Sequence, residues 1–211
     1  MDGGGDVKLR AIGPDEFDLV AGWLADERNA RWLDFGGGRR TVDALGLKVM
    51  SQRALHCLRV FTDDDGDRAV GIVGLSNVDR DFGTAEVWFV LGNKAYARRD
   101  LTVRATTLLI GHGFRSLGLR SVFAWTLETN LGGRRTLERM GFSYIGRRRR
   151  CHRIDGRLYD RLLFDLLAEE HSGYERSRSA PREAPAAKTE TVEVAGRATA
   201  ERVSRVAREP G

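Results

Sequence analysis

The chemistry this chain could perform is concentrated in one run, from Glu86 to Phe114. An aromatic and β-branched stretch, Val87 to Leu91, is interrupted at Gly92-Asn93 by a short turn that carries Arg98 and Arg99. Apolar residues then recur at helical spacing at Leu101, Ala105, Leu108, Leu109 and Phe114. The pattern predicts a strand, a turn and a helix. The first amides of a helix have no intrahelical partners and lie at its positive end, so they suit a phosphate or pyrophosphate. A β-turn-α unit without any ligand gives the same pattern.

Other reactive residues are less suggestive. Cys57 and Cys151 each fall in an apparent strand without a second Cys or His at ligand spacing, which predicts reduced thiols rather than a disulfide or a metal site. The acidic run Asp63 to Asp67 lacks the length and closing Glu of a calcium loop, so no metal is assigned. A second basic feature comprises Arg147 to Arg150 with Arg153, Arg157 and Arg161. Strand alternation would send about half of these to each face. Such a stripe fits either recognition of an acidic or RNA-bearing substrate, or a charged edge that discourages sheet pairing. The edge reading is preferred, because no RNA-binding aromatic signature accompanies the arginines.

The elements that must position these residues follow from length and pattern. With 211 residues, 41% of them hydrophobic, the chain can bury one good core, which predicts a single domain with tails. The net charge of +5 could favour an anionic partner, but 31% charged residues of both signs fit an ordinary solvated surface better. No apolar run approaches a membrane span, and the first six residues do not resemble a signal peptide, so a cytoplasmic protein is expected.

Val7 to Ile12 alternates as a strand, and Pro14 opens a helix whose inner face is Phe17, Val20, Ala21 and Leu24. A glycine-rich passage with Trp32, Leu33 and Phe35 precedes a second helix from Thr41, carrying Leu45, Val49 and Leu55. Those aromatics could close over a ligand or pack on the core. His56 to Phe61 and Ala69 to Leu75 form a hairpin around Asp63 to Asp67, and Phe82-Gly83 turns into the Glu86 strand. Arg120 to Leu127 is a strand reached through a crossover helix, hence parallel and adjacent to the Glu86 strand. Thr129-Asn130 caps a short helix ending at Met140-Gly141, and Phe142 to Arg153 pairs with Arg157 to Leu167 around Asp155-Gly156. The tail from Ser172 to Gly211 is poor in aromatics and is not expected to fold alone.

In that order and spacing, three pieces carry a family resemblance: Ala85-Glu86-Val-Trp-Phe-Val-Leu-Gly, Glu128-Thr-Asn130 followed by Leu137-Glu-Arg-Met-Gly-Phe142, and Gly146-Arg-Arg-Arg followed by Ile154-Asp-Gly-Arg-Leu-Tyr-Asp160. The chain resembles the GNAT superfamily of acyl-CoA-dependent N-acyltransferases. Within it, the nearest branch is the ribosomal-protein N-terminal (Rim-type) one, which acetylates ribosomal-protein N-termini and many small amines. The resemblance implies an α/β (α+β) fold with a mixed, mostly antiparallel twisted sheet, splayed between strands four and five and flanked by helices. It implies a GNAT domain over residues 7–168, and composition predicts a flexible N-terminus over 1–6 and a disordered or weakly helical tail over 169–211. Its donor would be acetyl-CoA, or another acyl-CoA. Its acceptor would be a primary amine, either a small molecule or a peptide N-terminus, met by direct attack in a monomer or homodimer without nucleic acid or membrane.

By this resemblance Phe89, Val90 and Leu91 line the pantetheine arm. The amides of residues 98–103, Arg98, Arg99, Asp100, Leu101, Thr102 and Val103, hold the pyrophosphate. Glu86 is the candidate base, the alternative being an edge carboxylate paired with an Arg; Asn130 hydrogen-bonds the cofactor arm or a water, or only caps its helix; and Trp32, Tyr159 and Asp160 border the amine, with core packing the alternative for Tyr159. The sequence also departs from the family. In the pyrophosphate loop the central glycine is Asp100, the leading Gln or Arg is Ala97, and the last small residue is Thr102. Asp100 would either repel phosphate or cap the following helix with its side chain. Gly133 stands at a frequent serine, and Leu137 at a tyrosine used elsewhere as general acid, so the departing thiolate has no assigned donor. These departures also allow a degenerate GNAT-fold protein that binds acyl-CoA or a partner as sensor or scaffold.

Overall fold

A computed structural model describes residues 7–63, 68–97 and 100–171. Arg98, Arg99, the tip of the acidic turn, the first six residues and the tail from Ser172 lie outside these residues.

Seven strands form one sheet in the order β1-β2-β3-β4-β5-β7-β6: β1 Leu9–Arg10, β2 Cys57–Thr62, β3 Ala69–Asp79, β4 Thr84–Leu91, β5 Ser121–Leu127, β6 Ser143–Ile154 and β7 Arg157–Leu167. Every neighbouring pair is antiparallel except β4 with β5. That parallel pair follows from the helical crossover. The helices are α1 Phe17–Ala25, α2 Glu27–Ala30, α3 Ala44–Gln52, α4 Leu101–Ser116 and α5 Leu131–Arg139.

β3 is buried along nearly its whole length, which explains its continuous apolar sequence. Gly74 in its middle is required by a close approach: a Cβ there would lie 2.5 Å from Trp88 Cε2. One core cluster joins the sheet to α4 through Leu101, Ala105, Leu109 and Ile110. The other joins β2 and β3 to α1 and α3 through Val20, Leu24 and Leu47. Full burial of each such leucine or isoleucine stabilises the fold by about 1.5–3 kcal/mol.

Two helical faces differ from expectation. In α3, Leu47 is fully buried, whereas Leu45 is 70% exposed and Val49 faces solvent, as does Leu55 beyond the helix end. The Asp43 carboxylate accepts the Gly46 amide and starts the helix at Ala44 rather than Thr41. The stripe turned inward is therefore Leu47 with Val42 and Met50 beside it. On α4, Leu108 is exposed, because the buried face runs through Ala105, Thr106, Leu109 and Ile110. The first strand is also shorter than Val7 to Ile12, and the single turn of α2 was not foreseen.

Asn130 caps α5 through its side chain, and Gly141, at φ 86°, closes it. The β6–β7 turn places Asp155 and Gly156 at φ 48° and 78°, the left-handed pair a tight hairpin requires. β6 is an edge strand, yet Arg147, Arg148, Arg149 and Arg150 are all exposed rather than alternating. Pairing register breaks between Arg148 and His152, and Arg150 takes a positive φ of 49°. Past Ala168 the packed chain continues to His171, whose ring meets Phe114 edge-on at 5.5 Å.

Candidate active site

β4 and β5 pair only from Thr84–Glu86 to Ser121–Phe123. Beyond Glu86 the strands part, so the β4 edge from Val87 to Leu91 has no ladder partner on that side. Backbone groups left in this way need another partner. A cavity of about 380 Å³ occupies the gap, bordered by Phe89, Val90 and Leu91, by the first turn of α4, and by Asn130, Gly133 and Arg139. The structure thus brings together every described residue of the expected donor site: Phe89, Val90, Leu91, Asp100, Leu101, Thr102, Val103 and Asn130. Leu101 is 1% exposed and packs in the core, so its contribution is confined to its backbone. Lys94 donates to the Leu91 carbonyl at 2.7 Å and to Asn29 Oδ1, which ties the end of β4 to α2.

Asp100 does not cap α4. It occupies the position before α4 at φ 54°, a conformation that favours glycine, and its carboxylate makes no cap hydrogen bond. Instead it accepts from Arg139 Nη1 at 2.7 Å and Nη2 at 2.6 Å. These hydrogen bonds hold its pKa below the usual carboxylate value. A guanidinium from α5 therefore covers the negative charge that would face a phosphate, while the backbone keeps the geometry of the missing glycine. The residues present fit an acyl-CoA: an open strand edge for an amide-bearing arm, helix-start amides for a pyrophosphate, and Arg139 beside them.

A second cavity, of about 300 Å³, lies on the other side of Asn130 and Gly133, which border both. Glu86 enters it from β4. Its carboxylate accepts Trp125 Nε1 at 2.7 Å and Asn77 Nδ2 at 3.2 Å, and makes no salt bridge among the described residues. Burial raises its pKa above the ordinary glutamate value, and the Trp125 and Asn77 hydrogen bonds oppose that rise only in part. A carboxylate shifted toward neutrality, held by neutral donors and facing a cavity, is suited to accept a proton.

Trp125 links Glu86 to a second polar group. Its indole face carries the Arg161 guanidinium, 3.8 Å from the ring centroid. Arg161 donates to Asp34 Oδ2 at 2.5 Å and lies 2.9 Å from His152 Nδ1. With Nδ1 accepting, His152 Nε2 carries the proton toward the Arg31 carbonyl, 3.3 Å away. That is a neutral imidazole, in keeping with the lowering of its pKa by burial and by Arg161. On the far wall, Ser76 Oγ accepts from Trp88 Nε1 at 2.9 Å and lies 3.1 Å from His56 Nδ1. Phe35 packs edge-on against Trp88 at 5.4 Å.

Trp32 borders both cavities, with the Arg31 guanidinium 5.0 Å above its ring. Tyr159 and Asp160 border neither cavity. Asp160 is engaged instead by Arg147 at 3.2 Å and by the Arg150 amide at 2.8 Å. Arg161, read in sequence as part of the basic stripe, turns inward to the cavity. Sequence reading also missed Asp34, Asn77 and Trp125 as site residues. Alternation from Phe123 would have put Trp125 on the Glu86 face, but nothing local signals Asp34, 127 positions from its partner.

A family model described as an acetyltransferase (GNAT) domain matches residues 6–143. The chain belongs to the GNAT acetyltransferase family. A probable N-acetyltransferase, YjcK, of Bacillus subtilis (strain 168) is 31% identical over 163 residues, covering 77% of this chain and 86% of the relative. An uncharacterized N-acetyltransferase, p20, of Bacillus licheniformis is 30% identical over 107 residues, 51% of this chain and 60% of that relative's length. Among solved structures, Mycobacterium smegmatis RimJ in complex with CoA-disulfide superposes with a TM-score of 0.66 at 20% identity, covering 79% of this chain and 84% of the other. Spermidine N-acetyltransferase from Vibrio cholerae, in complex with CoA and spermine, gives 0.67 at 16% identity over 78% and 96%. At these identities the structures establish the shared fold.

Proposed function

We propose that this chain transfers an acetyl group from acetyl-CoA to a primary amine by direct attack. The observation that carries the reading is the junction of two cavities at the point where β4 leaves β5. One offers an open strand edge, helix-start amides and Arg139, and the other offers Glu86 held by neutral donors. The donor supplies a thioester carbonyl. Amides of Leu101, Thr102 and Val103, with Arg139, bind its phosphates, and the edge from Phe89 to Leu91 pairs with its arm. Arg98 and Arg99, by their place in the sequence, would add charge beside the pyrophosphate. The Val90 or Leu91 amide stabilises negative charge developing on the carbonyl oxygen. Glu86 takes the proton from the amine, directly or through a water. The RimJ and spermidine acetyltransferase complexes with CoA compounds support a CoA donor. Spermidine and ribosomal-protein acetyltransferases among the neighbours support an amine acceptor, small or peptidic.

The test is calorimetric titration with acetyl-CoA, followed by a thiol-release screen over small amines and peptide N-termini. Binding with thiol release on at least one amine is expected. Absence of acetyl-CoA binding would overturn the reading, and tight binding without release on any acceptor would favour a sensor.

A further inference from the structure

We propose that Thr126 is the residue that stabilises the departing thiolate, a role the sequence leaves without a candidate. This rests on the acyltransferase reading of the two cavities.

Thr126 lies on β5 beyond Phe123, the last residue paired with β4. Strand alternation sends Trp125 toward Glu86 and turns Thr126 to the opposite face. Its residue is 5% exposed, and Oγ1 is buried without a hydrogen-bond partner among the described residues. Buried hydroxyls are nearly always paired, and an orphaned one is a net cost to the folded protein. A donor kept in that condition is available to something the protein binds.

The surroundings identify what. Thr126 borders the Glu86 cavity, and Asn130 and Gly133 border both cavities, so the three meet where the acceptor and donor spaces join. Gly133 brings the two polar groups together: a Cβ built on it would lie 2.8 Å from Thr126 Oγ1 and 2.7 Å from Asn130 Nδ2. Any side chain at 133 would displace one of them. The Gly133 amide donates to Asn130 Oδ1 at 2.9 Å, which fixes the amide orientation and leaves Nδ2 as a donor beside the threonine hydroxyl. Leu137, which also borders the cavity, is 1% exposed and offers no proton.

In the transfer, the amine nitrogen forms a bond to the carbonyl carbon as the carbon–sulfur bond breaks. The electron pair of that bond goes to sulfur, and the proton lost by nitrogen goes to Glu86. Thr126 keeps its own proton and donates a hydrogen bond to the sulfur as charge builds on it. The thiol of the product titrates at about 8.5 when free, so a hydrogen bond to the thiolate is enough to favour its departure near neutrality.

Thr126→Val keeps the shape and removes the hydroxyl, whereas Thr126→Ser keeps the hydroxyl. The first measurement is the titration of the CoA thiol bound to each protein, read from thiolate ultraviolet absorbance, and it needs no acceptor. The bound thiol is expected to titrate below free CoA in the wild type and in Thr126→Ser, and at or above free CoA in Thr126→Val. With an acceptor, Thr126→Val should lower kcat about tenfold at unchanged KM for acetyl-CoA. That loss should shrink for acyl donors with more acidic thiols. Thermal stability of Thr126→Val should match or exceed wild type, since an orphaned hydroxyl is removed. A bound thiol that titrates alike in wild type and Thr126→Val would overturn the proposal, as would a Thr126→Val loss of turnover that tracks a loss of stability. A wild type that binds no CoA overturns this proposal together with the acyltransferase reading, whereas binding with an indifferent thiol overturns this one alone.

Discussion

The two cavities are built in different ways. The proposed donor side is made mostly of backbone from one continuous run, the β4 edge and the first turn of α4, with α5 closing it. The proposed acceptor side is made of side chains contributed by distant segments: Asp34 before α3, Asn77 on β3, Glu86 on β4, Trp125 on β5 and Arg161 on β7, with His152 on β6 beside Arg161. A site of backbone amides tolerates substitution, because almost any residue supplies an N–H. A site of interlocked side chains fails when one member is lost, because the remaining buried groups are left unpaired.

That contrast predicts unequal responses to mutation. The largest effect should come from Arg161→Met, which leaves Asp34 buried without its cation. With side chains only 12% and 17% exposed, loss of the pair should cost about 3 kcal/mol of stability, measured by chemical denaturation. An equally stable variant would show that the acceptor wall does not depend on this pair.

Next is Glu86→Gln. Turnover should fall by roughly 10²-fold while CoA affinity stays unchanged, and the deficit should shrink as pH rises and free amine forms unaided. Because burial raises the Glu86 pKa, the acid limb of the wild-type pH–rate profile should lie above the ordinary glutamate value, and the variant should lack it. The stability sign is the reverse. A carboxyl with a raised folded pKa contributes stability below its unfolded pKa, near 4.5, and that contribution is lost as pH rises through the folded value. Glu86→Gln should therefore gain thermal stability relative to wild type at neutral pH but not at acid pH.

Smaller changes are expected on the donor side. Arg139→Ala removes a cation from the phosphate end and uncovers Asp100, which should weaken CoA binding by about 1 kcal/mol, roughly fivefold, by calorimetry. Asp100→Gly should tighten CoA binding slightly, since it frees Arg139 and suits the φ of 54°. In the double variant Asp100→Gly/Arg139→Ala, affinity should recover part of the Arg139→Ala loss; full additivity would mean the two residues act separately. The smallest effect is on pH stability. Asp100 has a lowered pKa, so its contribution is present above the unfolded value of 3.8 and lost as pH falls through the folded one. With both side chains about half exposed, that contribution is slight.

The strand and helix that border the proposed donor side were legible in the sequence because their determinants are local. The β-branched run, the Gly92-Asn93 break and the helical spacing after it identify a strand entering a helix, and periodicity requires only near neighbours. The same locality gave the Asn130 cap, the Asp155-Gly156 turn and the parallel crossover to β5. It failed where two local patterns were equally good. Leu45 and Val49 form an i, i+4 pair as regular as the Leu47 stripe, and only packing against α1 and β2 decides between them.

For this protein, then, sequence alone determined the order of elements and the membership of Glu86 in the central strand. Each depends on propensities and spacings that act within a few residues. Tertiary structure alone decided the rest: Arg161 leaves the basic stripe for Asp34, Arg139 rather than a cap neutralises Asp100, Asp160 turns away from the cavity, and Thr126 is left with an unpaired hydroxyl. Those outcomes depend on which polar groups are buried together, and the cost of leaving a buried group unpaired acts across the fold, without reference to separation along the chain.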